Sequence, residues 1–143
     1  MKTVGELMTR DLVTLKETQN LSLADELLRL HRIRHLPVVR EGRLVGLITH
    51  RDLLKAAARK GLDPDRQPSW AADIMNREVR TVRPEMSLRD AVKVMLDNKF
   101  GCLPVVGDNG TLLGILTEAD LVRYAHKLIG DMDRMSEAAE YEE

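Results

Sequence analysis

The sequence predicts an α/β (α+β) protein made of two tandem β-α-β-β-α units packed about a pseudo-two-fold axis. Three observations predict it. The first is duplication, the feature to look for before any other. VGELMTRDLVTL (4–15) lies over AADIMNREVRTV (71–82), and LPVV (36–39) over LPVV (103–106), both at an offset of 67 residues. After one extra residue near Asn109, GLIT (46–49) lies over GILT (114–117) at an offset of 68. The second is helical spacing of apolar residues, at Leu21, Ala24, Leu27, Leu28 and Ile33 and again at Leu88, Ala91, Val92, Met95 and Leu96. The third is a pair of apolar runs separated by a turn in each copy, as in a β-hairpin.

Each element follows in order. VTL (13–15) and VRTV (79–82) are short β-type runs. Asn20 and Ser87 offer side-chain oxygens where the helical spacing begins and are expected to cap those helices. LPVV opens a strand, the turns REGR (40–43) and GDNGT (107–111) reverse it, and LVGLIT or LLGILT returns. A closing helix follows, HRDLLKAAARK (50–60) or the segment from Glu118 that is expected to end near Gly130. The organisation is therefore repeat 1 (1–60), a Gly-, Pro- and Asp-rich linker (61–70), repeat 2 (71–130) and an acidic tail (131–143). A unit of about 60 residues buries too little to be robust alone, so the two copies are expected to form one body.

Composition narrows the function. The 143 residues are 43% hydrophobic, enough for a core, and carry a net charge of −1. With aromatics at 3%, neither stacking along single strands nor a field that recruits nucleic acid is expected. One cysteine, Cys102, allows no internal disulfide and no cysteine-built zinc cage. No apolar run reaches the roughly 20 residues of a membrane span, and no signal core opens the chain; a cytoplasmic protein is expected. Charge is uneven: residues 1–60 hold 12 basic and 7 acidic side chains, residues 61–143 hold 10 and 16. His31 and His35 stand four apart without a third ligand nearby, so no metal site is expected. Cys102 reads as a small buried hydrophobe, the seven methionines as core filler and Trp70 as packing the linker against repeat 2.

The strands lead into a Thr-x-x-Asp pattern, Thr49 to Asp52 and Thr117 to Asp120. A threonine at a helix start presents a hydroxyl and backbone amides to an anion, aided by the helix dipole. An aspartate three residues on lies on nearly the same side and can accept both hydrogens of a ribose diol. The same spacing also suits a plain helix cap.

The duplicated runs Leu36-Pro37-Val38-Val39…Gly46-Leu47-Ile48-Thr49-His50-Arg51-Asp52-Leu53 and Leu103-Pro104-Val105-Val106…Gly114-Ile115-Leu116-Thr117-Glu118-Ala119-Asp120-Leu121 resemble a CBS-domain pair, or Bateman module, over residues 3–127. The resemblance implies a non-enzymatic regulatory module with clefts between the repeats. Its ligands would be adenosine nucleotides (AMP, ADP or ATP), or alternatively S-adenosylmethionine or NAD. It also implies a homodimer acting on a separate regulated protein, with no catalytic cofactor. Carried over by position, it nominates Arg34, His35 and Arg51 for the phosphates of the Thr49–Asp52 cleft. That cleft would take the base against Val79, Thr81, Gly101 and Cys102. The Thr117–Asp120 cleft would use Val13, Thr14, Ile33 and Arg34, with Glu118 and Ala119 making it the weaker phosphate site. An apolar strip of Leu53, Leu54, Ala57, Leu121, Val122 and Tyr124 is expected to serve dimerisation. An oligomerisation scaffold with empty clefts is the competing reading. A hydrolase is disfavoured, because the chain has no glycine-rich phosphate loop and no nucleophile–base pair.

Overall fold

The leading residues of each repeat are buried in the other one. The computed structural model describes residues 1–62 and 70–141. Repeat 1 supplies α1 (Val4–Leu7), β1 (Leu15–Lys16), α2 (Leu21–His31), β2 (His35–Arg40), β3 (Arg43–Thr49) and α3 (His50–Leu62). Repeat 2 supplies α4 (Ala71–Ile74), α5 (Leu88–Asn98), β4 (Cys102–Val106), β5 (Leu112–Thr117) and α6 (Glu118–Tyr141). In one core, Val4 and Met8 pack among Val82, Leu88, Ala91, Leu103 and Leu116. In the other, Ala71 and Met75 pack among Leu15, Ala24, Leu36 and Ile48. Burying a side chain of this size contributes about 1.5–3 kcal/mol, so each repeat depends on the other for part of its core.

Backbone bonds fasten the exchange. Thr9 and Ile115 trade N–H···O bonds of 2.9 and 3.0 Å, and the equivalent pair, Asn76 and Leu47, trades bonds of 2.9 and 3.0 Å. The duplicated glycines make room for the duplicated methionines. A Cβ on Gly46 would stand 2.6 Å from Met75 Sδ, and one on Gly114 would stand 2.6 Å from Met8 Sδ.

The sheets follow the duplicated pattern. β1 runs parallel to β2 and β2 antiparallel to β3, with β4 antiparallel to β5. Where repeat 1 has β1, repeat 2 keeps only a parallel bridge from Val82 to Val105, so the expected 79–82 strand shrinks to one residue. The 40–43 reversal sets Glu41 and Gly42 at φ 51° and 78°, the twist a two-residue hairpin needs. The extra residue at Asn109 is absorbed in a short 3-10 turn, Asp108–Gly110. Asn20 accepts from the Leu23 amide at 2.9 Å and Ser87 from the Asp90 amide at 3.1 Å, capping α2 and α5.

Several expectations need correction. The last helix does not end near Gly130 but runs on to Tyr141, because nothing from 131 to 139 breaks a helix. Of the methionines, Met1, Met132 and Met135 are exposed. Trp70 is half exposed, with its backbone bridged to Asn20 of repeat 1. The expected apolar strip is narrower: Leu54, Ala57 and Val122 are exposed, Leu53 is buried, and Leu121 and Tyr124 are half-buried. Most of the linker, residues 63–69, lies outside the described residues. Among the described residues, no helix is long and apolar enough to cross a membrane.

Candidate functional site

The two Thr-x-x-Asp turns close as reciprocal caps. Asp52 Oδ2 accepts from the Thr49 amide at 2.9 Å, and the Thr49 hydroxyl accepts from the Asp52 amide at 3.2 Å. Thr117 and Asp120 repeat this at 2.9 and 3.3 Å. The His50 and Glu118 amides donate to the carbonyls of Arg34 and Gly101, tying each helix start to the approach of the preceding strand. The capping reading of the motif therefore holds for both copies.

Beyond the caps the copies diverge. Asp120 is 5% exposed. Its Oδ1 accepts from the Thr9 hydroxyl and from the Arg123 guanidinium, both at 2.7 Å. The residue standing for Thr9 in the other copy is Asn76, whose side chain turns to the backbone of Glu78 instead. Lys55 stands for Arg123. Among the described residues Asp52 Oδ1 has no hydrogen bond, and Asp52 is half-buried. One carboxylate is therefore committed to the fold and the other has an oxygen to offer.

A cavity of about 960 Å³ opens between the repeats, and both helix starts reach it. Thr49, His50 and Arg51 line it from β3 and α3, and Thr117, Glu118, Ala119 and Arg123 from β5 and α6. The wall also includes Thr9, Asp11, Leu12 and Val13 before β1, the run from His31 to His35, and Lys99 with Gly101. Five Arg or Lys side chains face two carboxylates, Asp11 and Glu118. Among the described residues Arg32, Arg34, Arg51 and Lys99 have no ion-pair partner. A lining of this kind attracts an anion, and the positive ends of two helix dipoles add to it.

Two of these cations stand on unusual backbone. Arg32 ends α2 at φ 53° and Lys99 ends α5 at φ 57°. Both adopt the left-handed conformation that helices ordinarily give to glycine.

His35 lies against Gly101, where an added Cβ would come within 2.9 Å of the imidazole Nε2 and 3.4 Å of Glu118 Oε1. Burial pulls the His35 pKa below its ordinary value, with Glu118 opposing the shift and Arg34 assisting it. Cys102, the equivalent of His35 in repeat 2, is buried, and burial pushes its thiol up to about 12. Burial and the raised pKa both disfavour the thiolate form that a nucleophile needs.

Of the residues nominated from sequence, the cavity brings together Val13, Ile33, Arg34, His35, Thr49, Arg51, Gly101 and Thr117. Asp52, Asp120, Thr14 and Cys102 are not on its wall. Val79 and Thr81 line a separate pocket of about 210 Å³ with Arg77 and Gly46. The bases expected to serve the Asp52 cleft alone thus share one cavity with Thr117. Sequence reasoning missed Thr9, whose only signal was its position opposite Asn76, and Arg123, one turn beyond the motif.

A family model described as the CBS domain matches residues 4–59 and 71–127. The uncharacterized protein MK0525 of Methanopyrus kandleri is 35% identical over 131 residues, 91% of this chain and 66% of that protein. The chain spans only 23% of homoserine O-acetyltransferase from Methanohalophilus mahii, to which it is 38% identical over 116 residues. Among solved structures, CBSX2 in complex with AMP superposes with a TM-score of 0.81 at 33% identity, over 90% of this chain and 98% of that one. The CBS domain pair of protein MJ0100, in complex with 5-methylthioadenosine and S-adenosyl-L-methionine, gives 0.79 at 28% identity, over 89% and 98%.

Proposed function

The chain belongs to the CBS domain family, of which it carries two copies, and on that premise we propose that it is a regulatory module sensing adenosine nucleotides. AMP, ADP or ATP occupies the space between the repeats, and the chain works as a homodimer that passes occupancy to a separate regulated protein. The observation that carries this reading is the inter-repeat cavity with four cations that have no ion-pair partner among the described residues. The complex of CBSX2 with AMP supports the adenosine class. The complex of MJ0100 with S-adenosyl-L-methionine keeps a second ligand under test, although a cationic sulfonium is a poor match for a basic lining. Such a module works through the ligand's different affinity for two arrangements of the repeats. The phosphates lie toward Arg34, His35 and Arg51. Asp52 is not on the cavity wall, but it follows Arg51, which is, and keeps one oxygen uncommitted, so it is the carboxylate assigned to the ribose.

Titration calorimetry with AMP, ATP, adenosine and S-adenosylmethionine tests the reading. Hydrogen bonds to charged groups contribute about 1.5–3 kcal/mol each, so Arg51→Ala is expected to weaken AMP and ATP roughly ten- to a hundred-fold. It should leave adenosine nearly unchanged. Asp52→Ala is expected to remove most nucleotide binding, and Asp120→Ala to act chiefly on stability. If adenosine binds the parent as tightly as AMP, or S-adenosylmethionine more tightly than ATP, the proposal is wrong.

A further inference from the structure

Where repeat 1 places Arg34 and His35 at the start of β2, repeat 2 has Gly101 and Cys102. The side chain missing at Gly101 leaves room for the His35 ring: an added Cβ would stand 2.9 Å from Nε2 and 3.1 Å from Cε1. The same Cβ would stand 3.4 Å from Glu118 Oε1. An imidazole of repeat 1 and a carboxylate of repeat 2 thus close on one point of backbone. The other copy has no such pairing, because His50 stands there for Glu118.

His35 is half-buried yet borders the cavity, and among the described residues its ring nitrogens have no hydrogen bond. Besides Glu118, the charged and titratable groups on the surrounding elements are Arg34 beside it, His50 and Arg51 on α3, and Lys99 and Cys102 around Gly101. His31 and Arg32 close α2, and Asp11 and Arg123 share the cavity wall. Burial disfavours the charged ring, Glu118 favours it and Arg34 opposes it. A phosphate held by Arg34 and Arg51 would reverse that balance. It adds negative charge beside the ring and offers an acceptor to a ring N–H, a bond that is stronger when the imidazole is charged.

We propose that His35 takes up a proton from solvent together with the ligand's phosphate, so that the module reads nucleotide and acidity jointly. This rests on the nucleotide reading above and adds a regulation to it. With the cavity empty, burial keeps the ring neutral to below the ordinary histidine value. With phosphate bound, the ring charges at a higher pH. The gain in affinity is absent above the bound-state pKa, grows as pH falls through it and is complete below the free-state pKa.

Titration calorimetry of the full chain with AMP tests this, in two buffers of different ionisation enthalpy from about pH 8 to 6. The phosphate of AMP itself gains a proton at about pH 6, but that contribution is common to parent and variant and cancels between them. His35→Gln keeps a neutral hydrogen-bonding side chain and loses the titration. The parent is expected to take up roughly a third of a proton or more beyond this variant. Its affinity relative to the variant should rise at least about threefold from the upper to the lower pH. Glu118→Gln, at an exposed position, gives a second reading should His35→Gln disturb the packing at Gly101. It is expected to move the uptake to lower pH, since the charged ring loses its carboxylate; an unmoved uptake means that another group carries the proton and overturns the proposal. Equal uptake in parent and His35→Gln overturns it too and leaves the nucleotide reading standing, as does uptake lost in His31→Gln or His50→Gln instead. If no adenosine nucleotide binds at any pH, both readings fall.

Discussion

Arg32 and Lys99 occupy equivalent places, each capping the C-terminus just after the last residue of a helix and each at a φ above 50°. For a residue with a Cβ that conformation costs roughly 1–2 kcal/mol relative to ordinary helix geometry, and glycine escapes it. What the cost provides is a cation on the wall of the inter-repeat cavity. Arg32→Gly and Lys99→Gly are therefore expected to raise stability by up to about 1 kcal/mol each, read as a higher melting temperature without ligand. Both are expected to lower ATP affinity. A variant that melts higher and binds ATP unchanged would separate the strained backbone from the ligand. The backbone at these two positions was not legible in the sequence, because nothing local distinguishes a left-handed arginine or lysine at a helix end from a helical one. Asp120 shows the same limit. The Thr-x-x-Asp spacing was legible, whereas its bond to Thr9 joins residues 111 positions apart.

Helices and hairpins were the most legible level, since their signals are periodic and local. The caps at Asn20 and Ser87 and the reversals at 40–43 and 107–111 stand where spacing and turn chemistry put them. The end of α6 was not legible: acidic composition suggested a solvated tail, yet Ala, Glu, Met and Arg are good helix formers. The duplicated Gly and Met were plain in the alignment of the repeats, but their contact was hidden because each glycine meets the methionine of the opposite repeat. That contact carries a prediction. An added methyl at Gly46 meets Met75 through its Cβ, Cγ and Sδ, and one at Gly114 meets Met8 and also the Thr9 carbonyl oxygen at 2.9 Å. Overpacking of this kind costs about 1–3 kcal/mol. Denaturant melts of Gly46→Ala and Gly114→Ala should both show the loss, larger at Gly114, where the obstacle is backbone.

At the scale of the molecule, the repeats are less independent than their sequences imply. Residues 1–62 and 70–143 expressed as separate pieces are each expected to lack cooperative melting by circular dichroism, because each core lacks the segment the other piece carries. Mixed at equal concentration, the pieces should regain a single transition. Independent melting of either piece would show that the exchanged segments add little. The shared cavity has the same origin. From the sequence it read as two clefts that had only Arg34 in common, since position along the chain cannot reveal that both helix starts open on one space.

The exchange also alters what counts as one module for inheritance or engineering. A chimera cut at the visible repeat boundary would pair Met8 from one parent with Gly114 from another, and Met75 with a foreign Gly46. The physically coherent halves are interleaved: residues 1–10 travel with repeat 2, and 71–76 with repeat 1. Recombination that respects the duplication therefore breaks the cores, and recombination that preserves the cores must cut across the duplication. Lineages of such chains are expected to move both copies together and to change partners across the pair in step.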